Sequence, residues 1–484
     1  MKIKEKPWIN PDTCAGCSVC VENCPMNCIQ IEEPKFHGDI HTIACADTNK
    51  CIGCGICARV CPIEAIKMCR DKEAVFNMKN KMSLETLFCR SFQSVMKVGM
   101  YFLPWRVPKI LKGPGAVKKL PMAIKHKKFS NVLIVTDHML VELHLLDGLL
   151  EAMKNVHLNY VIYDGVAPNP TDANVEEGFA IYKQNHCDCM IAFGGGSPMD
   201  CAKAIGARAA RPKKTVKQLQ GLFKVLRPLP IIFAVPTTAG TGSETTVAAV
   251  ITESETHHKA TINDICLMPK YAVLDPELTV GLPPKVTAIT GMDALCHAVE
   301  AYTNNTYNTK LEKDMCKKAV KLVYDNLYSI YQDGTNLKGR QNMQKAAFYA
   351  GRAFTRGCVG YVHAIGHTLG GLYNTPHGLA MSVLLPHVMR AFGPAVYDKL
   401  ADLCDVCGVE AEDNTNKSKA EAFIRWIEDM KEKMDIPVYP DMIKDEDIDQ
   451  IVEWAHKEGN PLYPTPVVWT KDDFRVFLKS VSKK

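Results

Sequence analysis

The sequence predicts three folding units in series over 484 residues: a small α+β unit at 1–75, an α/β domain with a parallel sheet at 105–285, and an all-α domain at 286–484, with 76–104 as a linker. Three observations carry this reading. Two cysteine runs of identical spacing crowd the first 70 or so residues. Short apolar strands alternate with amphipathic stretches through the middle of the chain. Beyond 286 the strand signals fade and helical patterns persist. A chain of this length also exceeds one ordinary hydrophobic core.

Hydrophobic residues make up 47% and charged residues 23%, the balance of a globular protein. The net charge of +5 is small and its basic residues are scattered, with short clusters at Lys125–Lys128 and Arg211–Lys214. Nucleic-acid binders concentrate such charge, so none is expected as a partner. Met1–Lys6 lacks an apolar signal core, and Val95–Trp105 is interrupted by Lys97 and Pro104, far short of a membrane span. A cytoplasmic location is expected. There, 21 cysteines point to metal or redox chemistry rather than disulfides.

The first unit is too small to fold on its core alone, so bound groups must help hold it. Its runs are Cys14-x-x-Cys17-x-x-Cys20-x-x-x-Cys24-Pro25 and Cys51-x-x-Cys54-x-x-Cys57-x-x-x-Cys61-Pro62. This duplicated spacing is the bacterial dicluster ferredoxin pattern, in which the fourth cysteine of each run ligates the other cluster. Two [4Fe–4S] clusters are therefore expected. Cys14, Cys17, Cys20 and Cys61 would hold one, and Cys24, Cys51, Cys54 and Cys57 the other. A zinc site calls for four thiolates, not eight in this rhythm. Cys28, Cys45 and Cys69 fall outside the pattern and read as free core thiols.

The linker contains Met82, Leu84, Leu87, Phe88, Phe92, Met96 and Met100 at helical spacing. It reads as a connector packed between domains. Docking on a membrane surface or partner is the alternative, disfavoured by the scarcity of basic residues.

In the α/β region, Asn131–Asp137, Leu158–Gly165, Cys189–Ser197 and Pro230–Thr238 read as buried strands, with amphipathic stretches at Leu140–Lys154 and Asn174–Asn185. The third strand ends in Gly194, Gly195 and Gly196, and Ser197 opens a helix. Glycines admit a pyrophosphate to the backbone, and the helix N-terminus offers free N–H groups. A second loop, Pro236–Glu244, is rich in hydroxyls and glycines and follows the next strand. Asp137, ending the first strand, either accepts from a ribose 2′-OH, favouring NAD over NADP, or caps a helix.

In the C-terminal region Asp293 and His297 lie four apart on one helical face, and a later stretch supplies His363, His367 and His377. Asp293, His297, His363 and His377 would make a carboxylate-plus-three-imidazole shell suited to Fe(II) or Zn(II). The alternative for any single histidine is a hydrogen-bonded core residue.

The motifs GGGSPMD, PTTAGTGSE, GMDALCHAVE and HAIGHTLGGLYNTPHG, in this order, resemble those of the iron-containing (group III) alcohol dehydrogenases of the lactaldehyde reductase and propanediol dehydrogenase type. The resemblance covers about 105–484. It implies an NAD(H)-binding α/β domain, a helical metal domain and a site in the cleft between them. It implies iron on Asp293, His297, His363 and His377, with His367 as a further histidine near the nicotinamide. Asp137, Asn169, Gly194, Gly195, Gly196, Ser197, Asp200, Thr237, Thr238, Thr241 and Lys259 match cofactor-contacting positions. Residues 1–104 lie outside the resemblance. So does Arg356, which replaces a smaller amide and, with Phe354, is a candidate substrate contact.

The function implied is an NAD(H)-dependent alcohol dehydrogenase or aldehyde reductase with accessory clusters. The metal acts as a Lewis acid and His367 relays the proton. If Arg356 lines the pocket, the substrate is a short alcohol or aldehyde bearing an anionic group; the alternative is a surface or structural arginine. The rival reading is an electron-transfer oxidoreductase passing electrons between the clusters and NAD(H), or serving a ferredoxin or flavoprotein partner. A lyase or synthase on the same scaffold, like dehydroquinate synthase, is a third. A homo-oligomer is expected.

Overall fold

The computed structural model describes residues 5–9, 17–32, 43–46, 50–52, 54, 56–62, 66–70, 83–255 and 259–482. The chain divides into two compact units, Met1–Lys79 and Asn80–Lys484.

The first unit repeats a strand–helix–strand pattern. β1 (Glu5–Ile9), α1 (Val19–Glu22) and β2 (Ile29–Glu32) form one half; β3 (Ile43–Ala46), α2 (Ile56–Val60) and β4 (Ile66–Arg70) form the other. β1 pairs antiparallel with β4, and β2 with β3, so each half completes the sheet of the other. Cys20, Cys28, Ile29, Ala44, Cys57 and Ile66 make the buried core. Half of that core is cysteine, which is why hydrophobic burial alone cannot hold it.

The second unit opens with α3 (Leu84–Phe102), capped by Ser83, whose hydroxyl accepts from the Thr86 N–H. The stretch that reads as a linker is thus a 19-residue helix belonging to the larger unit. Two of its polar side chains fasten it there. Arg90 donates to the carbonyls of Thr465 and Pro466 (2.9 and 3.0 Å), and Gln93 to those of Pro461 and Tyr463 (both 3.0 Å). The opposite face leaves Leu84, Phe88, Val95, Val98 and Phe102 exposed. Met82 lies outside the described residues.

The α/β region runs β5 (Lys109–Lys112), α4 (Ala116–His126), β6 (Asn131–Val135), α5 (His138–Glu142), α6 (Asp147–Asn155), β7 (Asn159–Tyr163), α7 (Asp172–Gln184), β8 (Cys189–Gly194), α8 (Gly196–Ala210), α9 (Val216–Leu219), β9 (Gly221–Leu222), β10 (Ile231–Pro236), β11 (Ala248–Thr252), β12 (Lys259–Asn263) and β13 (Tyr271–Leu274). Six strands form a parallel sheet in the order β5-β13-β10-β8-β6-β7. The four strands read from sequence are β6, β7, β8 and β10. β5 and β13 give little strand signal in the sequence, because Lys109–Lys112 is largely exposed and Tyr271–Leu274 is only four residues long. Along β8, Met190 and Ala192 enter the core on one face while Cys189, Ile191 and Phe193 enter the core on the other. Burial on both faces gives the continuous apolar run seen in the sequence. From β6 the sheet grows outward to β7, then returns to β8 and grows the other way. The glycines after β8 therefore sit where the winding reverses, the crevice in which open α/β sheets bind ligands.

The helical region comprises α10 (Pro284–Thr303), α11 (Lys310–Gln332), α12 (Leu337–Gly357), α13 (Tyr361–Tyr373), α14 (His377–Phe392), α15 (Tyr397–Cys407), α16 (Asn416–Lys433), α17 (Ile448–Gly459) and α18 (Lys471–Val481). α10 is buried along most of its length and packs against α11, α12 and α14. Among the described residues no helix is long and apolar enough to cross a membrane.

Candidate active site and thiol clusters

Asp293 and His297 project from α10, His363 from α13, and His377 from the first residue of α14. One ligand atom from each lies within 4.8 Å of all the others. Asp293 Oδ1 is 3.4 Å from His377 Nε2 and 3.9 Å from His363 Nε2; Asp293 Oδ2 is 3.8 Å from His297 Nδ1. Asp293 Oδ1, His297 Nδ1 and His363 Nε2 are buried with no hydrogen bond. Buried polar atoms left unpaired are costly, and three converging on one point fit a divalent cation.

The electrostatics agree. Burial lowers His297 to about 3 and His363 well below its ordinary range, so both present neutral lone pairs. Burial raises Asp293, but the imidazoles of His297, His377 and His363 that face it outweigh burial and hold the carboxyl well below the usual range.

Two carboxylates missed in the sequence orient these rings. Glu300 Oε2 lies 2.5 Å from His363 Nδ1, and its other oxygen accepts from the Val362 N–H (2.8 Å), which turns His363 Nε2 toward the cluster. Burial raises Glu300 to about 7. Glu300 stands one turn beyond His297, the only sequence signal it gives. Glu458, on α17, holds His367 Nδ1 at 2.7 Å and accepts from the Tyr463 hydroxyl at 2.9 Å. Burial works to lower His367, yet the charge and hydrogen bond of Glu458 raise it above its ordinary value. Phe354 stacks on His297 at 4.2 Å.

A cavity of about 510 Å³ opens over these histidines and runs to the α/β sheet. Asn169, Gly196, Ser197, Asp200, Thr241, Lys259, His297, Phe354, His363, His367 and His377 line it. Asp293 is buried below it. At the sheet end the N-cap of α8 is Gly195, whose place offers no side-chain cap, so the first N–H groups stay free. A Cβ on Gly194, at φ 146°, would meet Pro198 at 2.6 Å, and one on Gly196 would meet Thr241 at 3.0 Å. This glycine cradle fits the pyrophosphate of a dinucleotide. Lys203, fully buried, donates to Ser243 Oγ, Thr246 Oγ1 and the Ala248 carbonyl, pinning the second loop to α8; no motif exposed this role. Asp200 accepts from Ser243 Oγ and the Val250 N–H.

Several sequence candidates stand behind this lining. Gly194, Gly195, Thr237 and Thr238 shape the loops, with the Thr237 N–H donating to the Gly194 carbonyl. Asp137 caps α5, accepting from the Leu140 N–H at 3.1 Å. Arg356 is not itself in the lining: its Nε donates to the Tyr307 carbonyl at 3.1 Å, and its guanidinium lies 5.7 Å from the ring centre of Trp105, which is.

In the first unit, Cys24, Cys51, Cys54 and Cys57 line one small cavity, the four thiols assigned together from spacing. Cys28 joins them. Its N–H donates to Cys24 Sγ, the two sulfurs are 3.3 Å apart, and burial pushes its thiol up to about 12. Cys17, Cys20 and Cys61 are also described; Cys14 lies outside the described residues.

Comparison with known proteins bears on both units. A model described as iron-containing alcohol dehydrogenase matches residues 108–276, and one for the C-terminal region of the Fe-containing alcohol dehydrogenase family matches 287–481. A 4Fe-4S dicluster domain model matches 13–83. The chain is 38% identical over 352 residues to a 1,3-propanediol dehydrogenase of Citrobacter freundii, covering 72% of this chain and 90% of that protein. A solved 1,3-propanediol oxidoreductase superposes with a TM-score of 0.75 at 34% identity, covering 78% of this chain and 100% of that one. A sulfoacetaldehyde reductase from Bifidobacterium kashiwanohense, solved with NAD+, gives a TM-score of 0.69 at 26% identity, covering 79% and 100%.

Proposed function

Because this chain belongs to the iron-containing alcohol dehydrogenase family, we propose that it interconverts a primary alcohol and its aldehyde with NAD(H), using Fe(II) held by Asp293, His297, His363 and His377. The N-terminal unit carries two [4Fe–4S] clusters in an accessory role. The observation that supports this most is the convergence of four ligand side chains at one end of a cavity whose other end is the glycine-capped start of α8.

The ion, when bound, supplies Lewis acidity toward the substrate oxygen, and NAD+, when bound, accepts the hydride. The remaining work falls to side chains. Glu300 fixes the His363 ring. His367, held by Glu458 through Nδ1, keeps Nε2 free to exchange the proton that alcohol oxidation releases. Gly194 and Gly196 open the backbone for the pyrophosphate, and Lys203 keeps the covering loop closed against it.

The test is anaerobic. Protein loaded with Fe(II) is expected to oxidise NADH in the presence of aliphatic aldehydes, and chelator-treated protein is not. Absence of NADH oxidation with every aldehyde, together with NAD+ reduction by a low-potential one-electron donor, would replace this reading with an electron-transfer enzyme.

A further inference from the structure

The family match begins at residue 108, yet one wall of the cavity is built from residues before it. Met96 and Met100 of α3, with Leu103 and Trp105 just beyond, line the same cavity as His297, His363, His367 and His377. Their position along it follows from how α3 is anchored. Gln93 donates to the carbonyls of Pro461 and Tyr463. Tyr463 in turn donates to Glu458, which holds His367. Trp105 carries Arg356 on its ring, two residues from the Phe354 that stacks on His297. The α3 wall therefore stands at the metal end, where the substrate must lie, rather than at the pyrophosphate end.

The chemistry of that end is apolar. Met96, Met100, Leu103, Trp105, Phe354 and Leu462 surround it. The Trp105 indole N–H is taken by the Met100 carbonyl at 2.7 Å. The Tyr463 hydroxyl is taken by Glu458. Arg356 is outside the lining and engaged with Tyr307. Among the described lining residues Lys259 is the single Lys or Arg, and the charge of Glu458 acts on it. Among the described lysines and arginines, a substrate anion would have only Lys259 to pair with in this lining, and the charge of Glu458 already faces it.

We propose that α3 and the turn after it form the substrate-selecting wall, and that the substrate is an unbranched apolar alcohol or aldehyde whose chain lies along Met96, Met100 and Trp105, in preference to a short diol or an anionic aldehyde. Flexible thioethers suit a chain of variable length. This inference rests on the dehydrogenase reading for its chemistry, but the wall can be tested without turnover.

Full-length Fe(II)-loaded protein is assayed anaerobically with NADH and straight-chain aldehydes from propanal to octanal, with lactaldehyde and succinic semialdehyde as polar and anionic probes. Each added methylene is expected to raise kcat/KM about fourfold until the wall is filled, and the two polar probes are expected to fall about tenfold or more below butanal. Met96→Trp is expected to shift the optimum to shorter chains and Met96→Ala to longer ones, an opposed pair that misfolding cannot produce. Octanamide, an unreactive mimic, is titrated calorimetrically into the same proteins, and Met96→Trp is expected to weaken it about tenfold. A flat or falling chain-length profile, or an optimum that neither variant moves, would overturn the wall. Octanamide binding that Met96→Trp weakens, without turnover of any aldehyde, would uphold the wall and remove the dehydrogenase reading.

Discussion

The N-terminal thiol unit and the helical region both gather metal ligands, and they do so by opposite means. In the first, ligands are themselves core: Cys20 and Cys57 are two of its six buried core residues, carried on helices of four and five residues. In the second, Asp293 and His297 ride on α10, a 20-residue helix buried from Gly291 to Thr303 among α11, α12 and α14. One site must be assembled with its metal, because little else holds its walls. The other is set in place by packing, and its unpaired atoms wait on a scaffold that stands by itself. The difference teaches that a ligand's burial says little until one asks what buries it.

The sharpest attack on this contrast removes a ligand from the preformed site. Asp293→Asn is expected to lower kcat/KM by about a thousandfold while the thermal transition of the larger unit stays or rises. Collapse of the fold instead would show that the metal organises the helices. Glu458→Gln is expected to cost roughly a hundredfold in kcat. Because Glu458 raises His367 above its ordinary value, the variant should also move the acid limb of alcohol oxidation to lower pH, since the ring must be neutral to accept the proton. An unmoved limb would exclude His367 as the proton acceptor. Glu300→Gln is expected to weaken Fe(II) binding about 10-fold to 100-fold, read by iron titration, with smaller loss of turnover at saturating iron. Oxidative loss of the clusters is expected to open residues 1–79 to protease while leaving 80–484 intact; a cluster-free first unit that resists digestion would break the contrast.

The smallest effect concerns a charge that the larger core tolerates. Burial lowers Lys431 to about 8, and its ammonium faces the carbonyls of Val383 and Val438. Its folded value lies below its unfolded one, so the unfolded chain binds more protons between about 8 and 10.4. Stability therefore rises with pH through that window. Lys431→Met is expected to abolish this rise and lift Tm at pH 7 by roughly 2–4 °C. An unchanged Tm slope between pH 8 and 10 in the variant would assign the rise to another group.

The chain itself determined the parts whose chemistry is local. The cysteine rhythm, the glycine run after β8, and Asp293 and His297 one turn apart are short-range patterns, each tied to a ligand by residue type and spacing. The two-faced burial of the central strands was legible for the same reason. What only the tertiary structure decided is set by encounters across long stretches of chain. Glu458 reaches His367 over 91 positions, Glu300 reaches His363 over 63, and Gln93 reaches Pro461 over 368. No local pattern marks such partners, since any surface glutamate or glutamine has the same letter. For that reason 76–104 reads as a linker in the sequence although it supplies α3 and a wall of the cavity, and the sequence alone gives no sign that Arg356 meets the Tyr307 carbonyl and the Trp105 ring.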